Sequence, residues 1–201
     1  MRFSAVLVPL SLLAGCLLPA AAASAAQPGG GEQLYLMPPK GWEVAFHDTK
    51  GTVDVTEVLP QGQTLKAWTE MLTVQMISGQ PVKPPQDLLK EQVDVVRNAC
   101  EDIGVGQLSL GVENGYETGL RAIVCPKSKQ WGDGELSLYK VISGRDRAYV
   151  IWRSWRGPAF EKDRLPVPAE KTTEWLDFMR QVVLCDDRDA KRACPTGQGG
   201  R

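Results

Sequence analysis

The side chains able to do chemistry are few and scattered. His47 is the single histidine in 201 residues, so a serine–histidine–acid triad has one possible base, and no G-x-S-x-G turn accompanies it. His47 falls on the polar side of an alternating stretch beside a turn, which predicts an exposed imidazole. Asp186, Asp187 and Asp189 form an acidic group of the kind calcium uses. Arg188 interrupts them and no loop glutamate comes after, so a solvated tail is expected. Gly104-Val105-Gly106 lacks the third glycine of a dinucleotide loop and comes after a helical pattern where a strand is required. No cofactor and no metal set is expected. Glu113, Glu117 and Asp133 are the carboxylates from which a hydrolytic pair could be assembled, if the fold brought two of them to one cleft.

Cysteine chemistry is easier to read. Five cysteines are present, and Cys16 lies in an apolar leader, which leaves Cys100, Cys125, Cys185 and Cys194. An even set in an oxidising compartment implies two disulfides with three possible connectivities. Local pairing is expected, with Cys185 and Cys194 closing the short polar segment between them and Cys100 left for Cys125. Redox or zinc chemistry would want a C-x-x-C spacing, which is absent.

The segment Trp152-Arg153-Ser154-Trp155-Arg156 is the most suggestive surface candidate. Strand alternation puts Trp152 and Trp155 on opposite faces, so at least one belongs to the core. The other, flanked by Arg153 or Arg156, is a candidate stacking platform for a sugar ring or a partner's side chain. Trp42 and Trp68 are expected in the core.

Composition sets the class. Hydrophobic residues make up 43% of the chain, charged residues 23%, and the formal net charge is −1. This is ordinary globular composition with no global field to gather nucleic acid. Arg2 followed by the uncharged apolar stretch 3–18, then Pro19 and the small residues 20–26, has the form of a secretory signal sequence with Ala23-Ser24-Ala25 before the cut. Leu13-Ala14-Gly15-Cys16 offers a second reading, a lipobox whose cysteine is acylated and tethers the product to a membrane. The expected organisation is a signal peptide over 1–26, a flexible lead-in over 27–33, one domain over 34–194 and a tail over 195–201. The product is expected in the periplasm or secreted, or membrane-anchored through Cys16.

Periodicity supplies the elements that must position these residues. Trp42, Val44 and Phe46 alternate with polar positions and Val53 and Val55 return after a turn, which predicts a hairpin over 42–59 with one buried face. Leu65, Trp68, Met71 and Leu72 recur at helical intervals after Thr64, giving a short helix that passes into a strand at 73–77. Residues 78–85 form a loop. Leu89, Val93, Val96, Cys100 and Ile103 predict a helix over 86–103 with Cys100 on its buried face. Strands are predicted over 105–112 and 116–125 around Asn114-Gly115, and over 135–142 and 148–155 around a polar turn. A last helix over 168–184 puts Trp175, Phe178, Met179 and Val182 on one face. The sum is a single α+β domain, an antiparallel curled sheet flanked by two or three helices.

The order Gly41-Trp42, Gly62-Gln63-Thr64, Trp68-Thr69-x-Met71 and Thr73-Val74-Gln75 resembles a group of exported proteobacterial proteins with no assigned activity. The likeness extends through Glu135 to Tyr149 and Arg156. The layout also resembles the PsbP-like fold, a helix-flanked antiparallel sheet found in photosystem accessory proteins and some envelope lipoproteins. The resemblance implies an accessory or binding role. A non-enzymatic envelope protein that binds a protein or an envelope component is therefore expected. The alternatives are a hydrolase built from scattered carboxylates, and an inhibitor or assembly factor of a secreted enzyme presenting the proline-rich loop from Pro81 to Pro85.

Overall fold

The computed structural model describes residues 31–79 and 81–195. The expected leader with Cys16 and the tail beyond 195 lie outside them. Among the described residues, ten strands and two α-helices succeed one another in chain order. They are β1 (Glu32–Tyr35), β2 (Trp42–Lys50), β3 (Val53–Pro60), β4 (Glu70–Ser78), α1 (Pro85–Ala99), β5 (Gly104–Val105), β6 (Ser109–Glu113), β7 (Tyr116–Cys125), β8 (Gly134–Ser143), β9 (Arg147–Gly157), α2 (Ala169–Gln181) and β10 (Val183–Asp186). Eight strands make one antiparallel sheet in the order β2-β3-β4-β9-β8-β7-β5, with β6 also paired to β7. The α+β class expected from the sequence is what the chain adopts.

The helices cover opposite faces. Leu88, Leu89 and Val93 of α1 pack on Ile123, Tyr139, Val141, Ala148 and Val150, while Trp175 and Met179 of α2 pack on Leu72, Leu136, Ile142, Tyr149 and Ile151. The parities are opposite because side chains on a strand alternate. Each large apolar side chain so buried contributes about 1.5–3 kcal/mol before entropy is counted. α1 lies close to β7 at Gly119, where an added Cβ would stand 2.7 Å from Leu89 Cδ1 and 3.0 Å from Pro85 Cβ. Asn114 and Gly115 both take positive φ, 49° and 75°, as a two-residue hairpin turn requires.

Several sequence expectations are corrected. No helix forms after Thr64. Gly62 turns the chain at φ 84°, Thr64 and Ala67 form an isolated bridge, and β4 begins at Glu70. Two turns are too few to hold a helix against strand pairing. Met71 and Leu72 thus face opposite sides of the sheet. The hairpin of β2 and β3 forms, but its alternation breaks at a bulge between Val44 and Phe46. β2 is also the sheet's edge, so Val44 is 63% exposed and Phe46 is exposed as well. α1 ends at Ala99, because Cys100 leaves it to bridge Ser128. The expected lead-in gives way to structure at Glu32, since β1 pairs with β10 in a separate two-stranded sheet. For the same reason the last helix stops at Gln181.

That stop is held from beneath. Lys140 of β8 is buried, and its Nζ donates to the main-chain oxygens of Met179 (2.8 Å) and Val182 (2.9 Å) and to Glu113. Burial pushes the Lys140 ammonium below its usual range and Glu113 opposes the shift. The Lys140→Met variant leaves two carbonyls at the helix end without a donor, and an unpaired buried polar group costs about 1–3 kcal/mol. We expect a stability loss of about 2 kcal/mol in denaturant unfolding, with faster amide exchange through β10. Unchanged exchange there would show that Lys140 does not hold the helix end.

Candidate functional site

Cross-strand register places a set of polar residues together on the α1 face. One row runs Glu57, Thr73, Trp152, Tyr139. The next runs Met71, Ser154, Ser137, Ile123, and a third Arg156, Glu135, Cys125. Adjacent strands lie about 4.8 Å apart, so each row is a line of neighbouring side chains. α1 covers the β7–β9 side of this face and leaves the rows toward β3 and β4 open. The result is a cleft of about 630 Å³, walled by the end of α1, the Cys100–Cys125 disulfide and the 128–134 loop. Such a volume lies within the range of ligand-binding clefts.

The floor is polar and mostly satisfied. Ser137 Oγ and Ser154 Oγ are 2.6 Å apart, and both donate to Glu135 Oε1, at 2.8 and 2.9 Å. Trp152 stacks on Tyr139 with ring centroids 5.4 Å apart, and burial pushes the Tyr139 phenol up. At one end Arg156 donates twice to Asp133 Oδ2, at 3.0 and 2.6 Å, and its guanidinium lies over the rings of Trp68 (5.4 Å) and Trp131 (5.9 Å). Two groups stand apart. Glu57 meets neither a cation nor a hydrogen-bond donor among the described residues, and burial raises its carboxyl pKa. Thr73 Oγ1 beside it is buried without a hydrogen-bond partner.

The Trp152–Arg156 segment divides between the two faces. Trp152 and Arg156 line the cleft. Trp155 points to the α2 side, edge-on to Phe160 at 6.0 Å. Arg153, expected to flank an exposed ring, is instead 2% exposed within the α2 layer. Its guanidinium lies 5.1–5.5 Å from the rings of Trp42, Trp175 and Phe178, and it pairs with Glu70 (3.1 Å) and Glu174 (3.2 Å). Trp68, expected in the core, sits at the cleft mouth.

The remaining candidates are dispersed. Glu113 pairs with Lys140 on the α2 side, Asp133 pairs with Arg156 in the cleft, and Glu117 lines a separate depression with Tyr116 and Arg145. No two of these carboxylates converge. His47 lies 3.1 Å from Thr56 Oγ1 and 3.6 Å from Asp54 Oδ2 on the edge hairpin, with no serine against it. Asp186 is not in a solvated tail. It is buried in β10, and hydrogen bonds from Arg188 hold its carboxyl below the usual range. Asp189 pairs with Arg145 and caps the 3-10 turn Ala190–Arg192. The loop before α1 packs on its own domain, with Val82 against the core and Lys83 O accepting from Ser143 Oγ. Both disulfides pair locally, Cys100 with Cys125 and Cys185 with Cys194.

Sequence reasoning missed Glu57, Thr73, Glu135 and Ser137 as a group. The available signal was polar residues inside strands whose other positions are apolar, but their alignment depends on register between distant strands.

No family model matches the chain, and no curated protein does. Among solved structures it is similar to the Ran-binding protein Mog1p of Saccharomyces cerevisiae, at 12% identity and a TM-score of 0.47 over 76% of this chain and 94% of that one. It is also similar to a point mutant of protein Mog1, at 14% identity and a TM-score of 0.42 over 72% and 78%. Likenesses this distant carry no functional argument, so function has to be read from the geometry of the cleft.

Proposed function

We propose that the chain is a non-enzymatic binding protein of an oxidising, extracytoplasmic compartment, and that it holds a protein partner in the cleft on the α1 face. The observation that carries this reading is the cleft and its rim. Around a polar floor stand the exposed apolar side chains of Leu65, Val95 and Trp131, the last 66% exposed, with Arg156 stacked between two tryptophans. Tryptophan and arginine beside a desolvated floor are the composition of a protein-binding hot spot.

The polar groups are arranged to hold and not to react. The two serine hydroxyls are committed to Glu135, Asp133 is committed to Arg156, and the single histidine lies on another part of the sheet. A nucleophile needs a free base in contact. Two disulfides and the apolar leader support the compartment.

Trp131→Ala tests the assignment, because Trp131 is exposed and its removal spares the core. A partner held by the native protein is expected to bind the variant with a loss of about 2 kcal/mol, roughly thirtyfold in Kd, while the melting temperature stays the same. Equal affinity for the two proteins would move the working surface away from the cleft.

A further inference from the structure

Among the residues that line the cleft, one buried side-chain atom lacks a hydrogen-bond partner, Thr73 Oγ1, and a half-buried carboxylate without one, Glu57, stands beside it. Glu57 and Thr73 are direct cross-strand neighbours on β3 and β4, and both face the cleft. The carboxylate has no partner among the described residues, and the hydroxyl is fully buried with none. Buried polar groups are nearly always paired, so an unpaired pair lining an open cleft marks a position that a ligand completes. What is missing there is a donor of hydrogen bonds and, for the carboxylate, a positive charge.

The surroundings specify the rest. Trp152 is the next residue in the same row, stacked against Tyr139 on its far side, and Met71 and Trp68 add apolar surface. An aliphatic stem ending in a cation fits such a setting, since its methylenes lie along apolar walls while the charged head meets a carboxylate and the face of an indole. The cleft's own charges agree: Glu57, Asp133 and Glu135 against Lys129 and Arg156, three acids to two bases. Arg156 is already neutralised by Asp133, and Lys129 Nζ donates to the main-chain oxygen of Asn98. Glu135 accepts from two serines, so Glu57 is the carboxylate of the cleft left with neither a cation nor a donor among the described residues.

We infer that the partner is anchored by a lysine or arginine side chain whose charged head seats on Glu57, beside Thr73, with its stem along Trp152 and Met71. This rests on the reading of the cleft as the working surface. It adds which residue of the partner is read, and by what.

The test is a nuclear magnetic resonance titration of the purified protein with four probes. They are a blocked tripeptide with central lysine, its arginine counterpart, the same lysine peptide acetylated at Nε, and maltotriose. The lysine and arginine peptides are expected to shift the resonances of Glu57, Thr73 and Trp152. Acetylation, or Glu57→Gln, is expected to weaken that binding at least about tenfold. Thr73→Val, which keeps the shape, is expected to weaken it less. The inference is overturned if acetylated and free lysine peptides bind alike, if Glu57→Gln changes nothing, or if neither basic peptide binds. Binding of maltotriose alone overturns it in favour of a carbohydrate. Should the basic peptides fail while partner binding still falls in Trp131→Ala, the anchor is wrong and the cleft remains the working surface. Should Trp131→Ala also have no effect, both fail.

Discussion

Arg153→Ala is expected to destabilise the domain by about 3–5 kcal/mol, the range seen when one member of a buried charge group is removed. Arg153 is 2% exposed and sits where α2 crosses the sheet, ringed by Trp42, Trp175 and Phe178 and paired to Glu70 and Glu174. Its loss removes a cation from three ring faces and leaves a void in the α2 layer. The carboxylates are not abandoned altogether, because Lys171 also contacts Glu70 at 2.9 Å and Glu174 at 3.3 Å. That second cation sets the lower end of the range. Arg153→Met keeps volume without charge and should recover part of the loss. Arg153→Lys should not substitute fully, since an ammonium lacks the planar guanidinium that lies over the three rings while its fork reaches both carboxylates. Chemical denaturation of the three variants measures this. A loss under about 1 kcal/mol for the alanine variant would mean that Lys171 alone holds the cluster together.

The second large effect belongs to the Cys100–Cys125 disulfide. It joins the end of α1 to the end of β7 across 25 residues, against 9 for Cys185–Cys194. Loop-closure entropy gives about 3.5 kcal/mol for the first bridge and about 2.6 kcal/mol for the second, a difference of about 0.9 kcal/mol. Replacing each pair with serines and measuring unfolding in denaturant should recover that order. The first pair has a further consequence. Both cysteines are part of the cleft wall, and the adjoining loop, which carries Trp131 and Asp133, is tied to the end of α1 through Lys129 N to Ala99 O and to the residues just after it through Glu101 N to Lys127 O. Removing the bridge is therefore expected to weaken partner binding as well as stability. Loss of the Cys185–Cys194 bridge, which stands in the β1–β10 sheet away from the cleft, should lower stability alone. If both variants bind the partner equally well, the wall does not depend on its disulfide.

Polar residues within the central strands are divided between the two faces of the sheet. β8 and β9 are buried on both faces, yet they carry Ser137, Lys140, Arg153 and Ser154. Lys140 and Arg153 point to α2, where they hold a helix end and fill an aromatic cluster. Ser137 and Ser154 point the other way and make the cleft floor with Glu135. A buried polar side chain is tolerated only with partners, and each of these four has them, although Arg153 Nε itself is left without one. Glu57 and Thr73 depart from that rule, and they lie where no helix covers the sheet.

How much of the molecule was legible in its sequence depends on how far each signal reaches along the chain. Short-range patterns were sufficient for the hairpins, the Asn114-Gly115 turn, the core of α1 and the even cysteine set. Each depends on a few adjacent residues or on a count. Even the two-face placement of Trp152 and Trp155 comes from strand alternation. Three kinds of fact needed the folded chain. Pairing between distant segments decided that residues 183–186 leave the last helix for β1, and that 70–72 join a strand where their spacing reads as helix. Coverage decided burial: alternation puts Val44 and Arg153 on a face, but only the edge position of β2 and the seat of α2 make one exposed and the other buried. Register decided the cleft, since Glu57, Thr73, Ser137, Ser154 and Arg156 come from four strands and become neighbours only through cross-strand pairing. Periodicity tells which side a side chain faces. It carries no information about what lies across the next strand, and that is where the cleft is made.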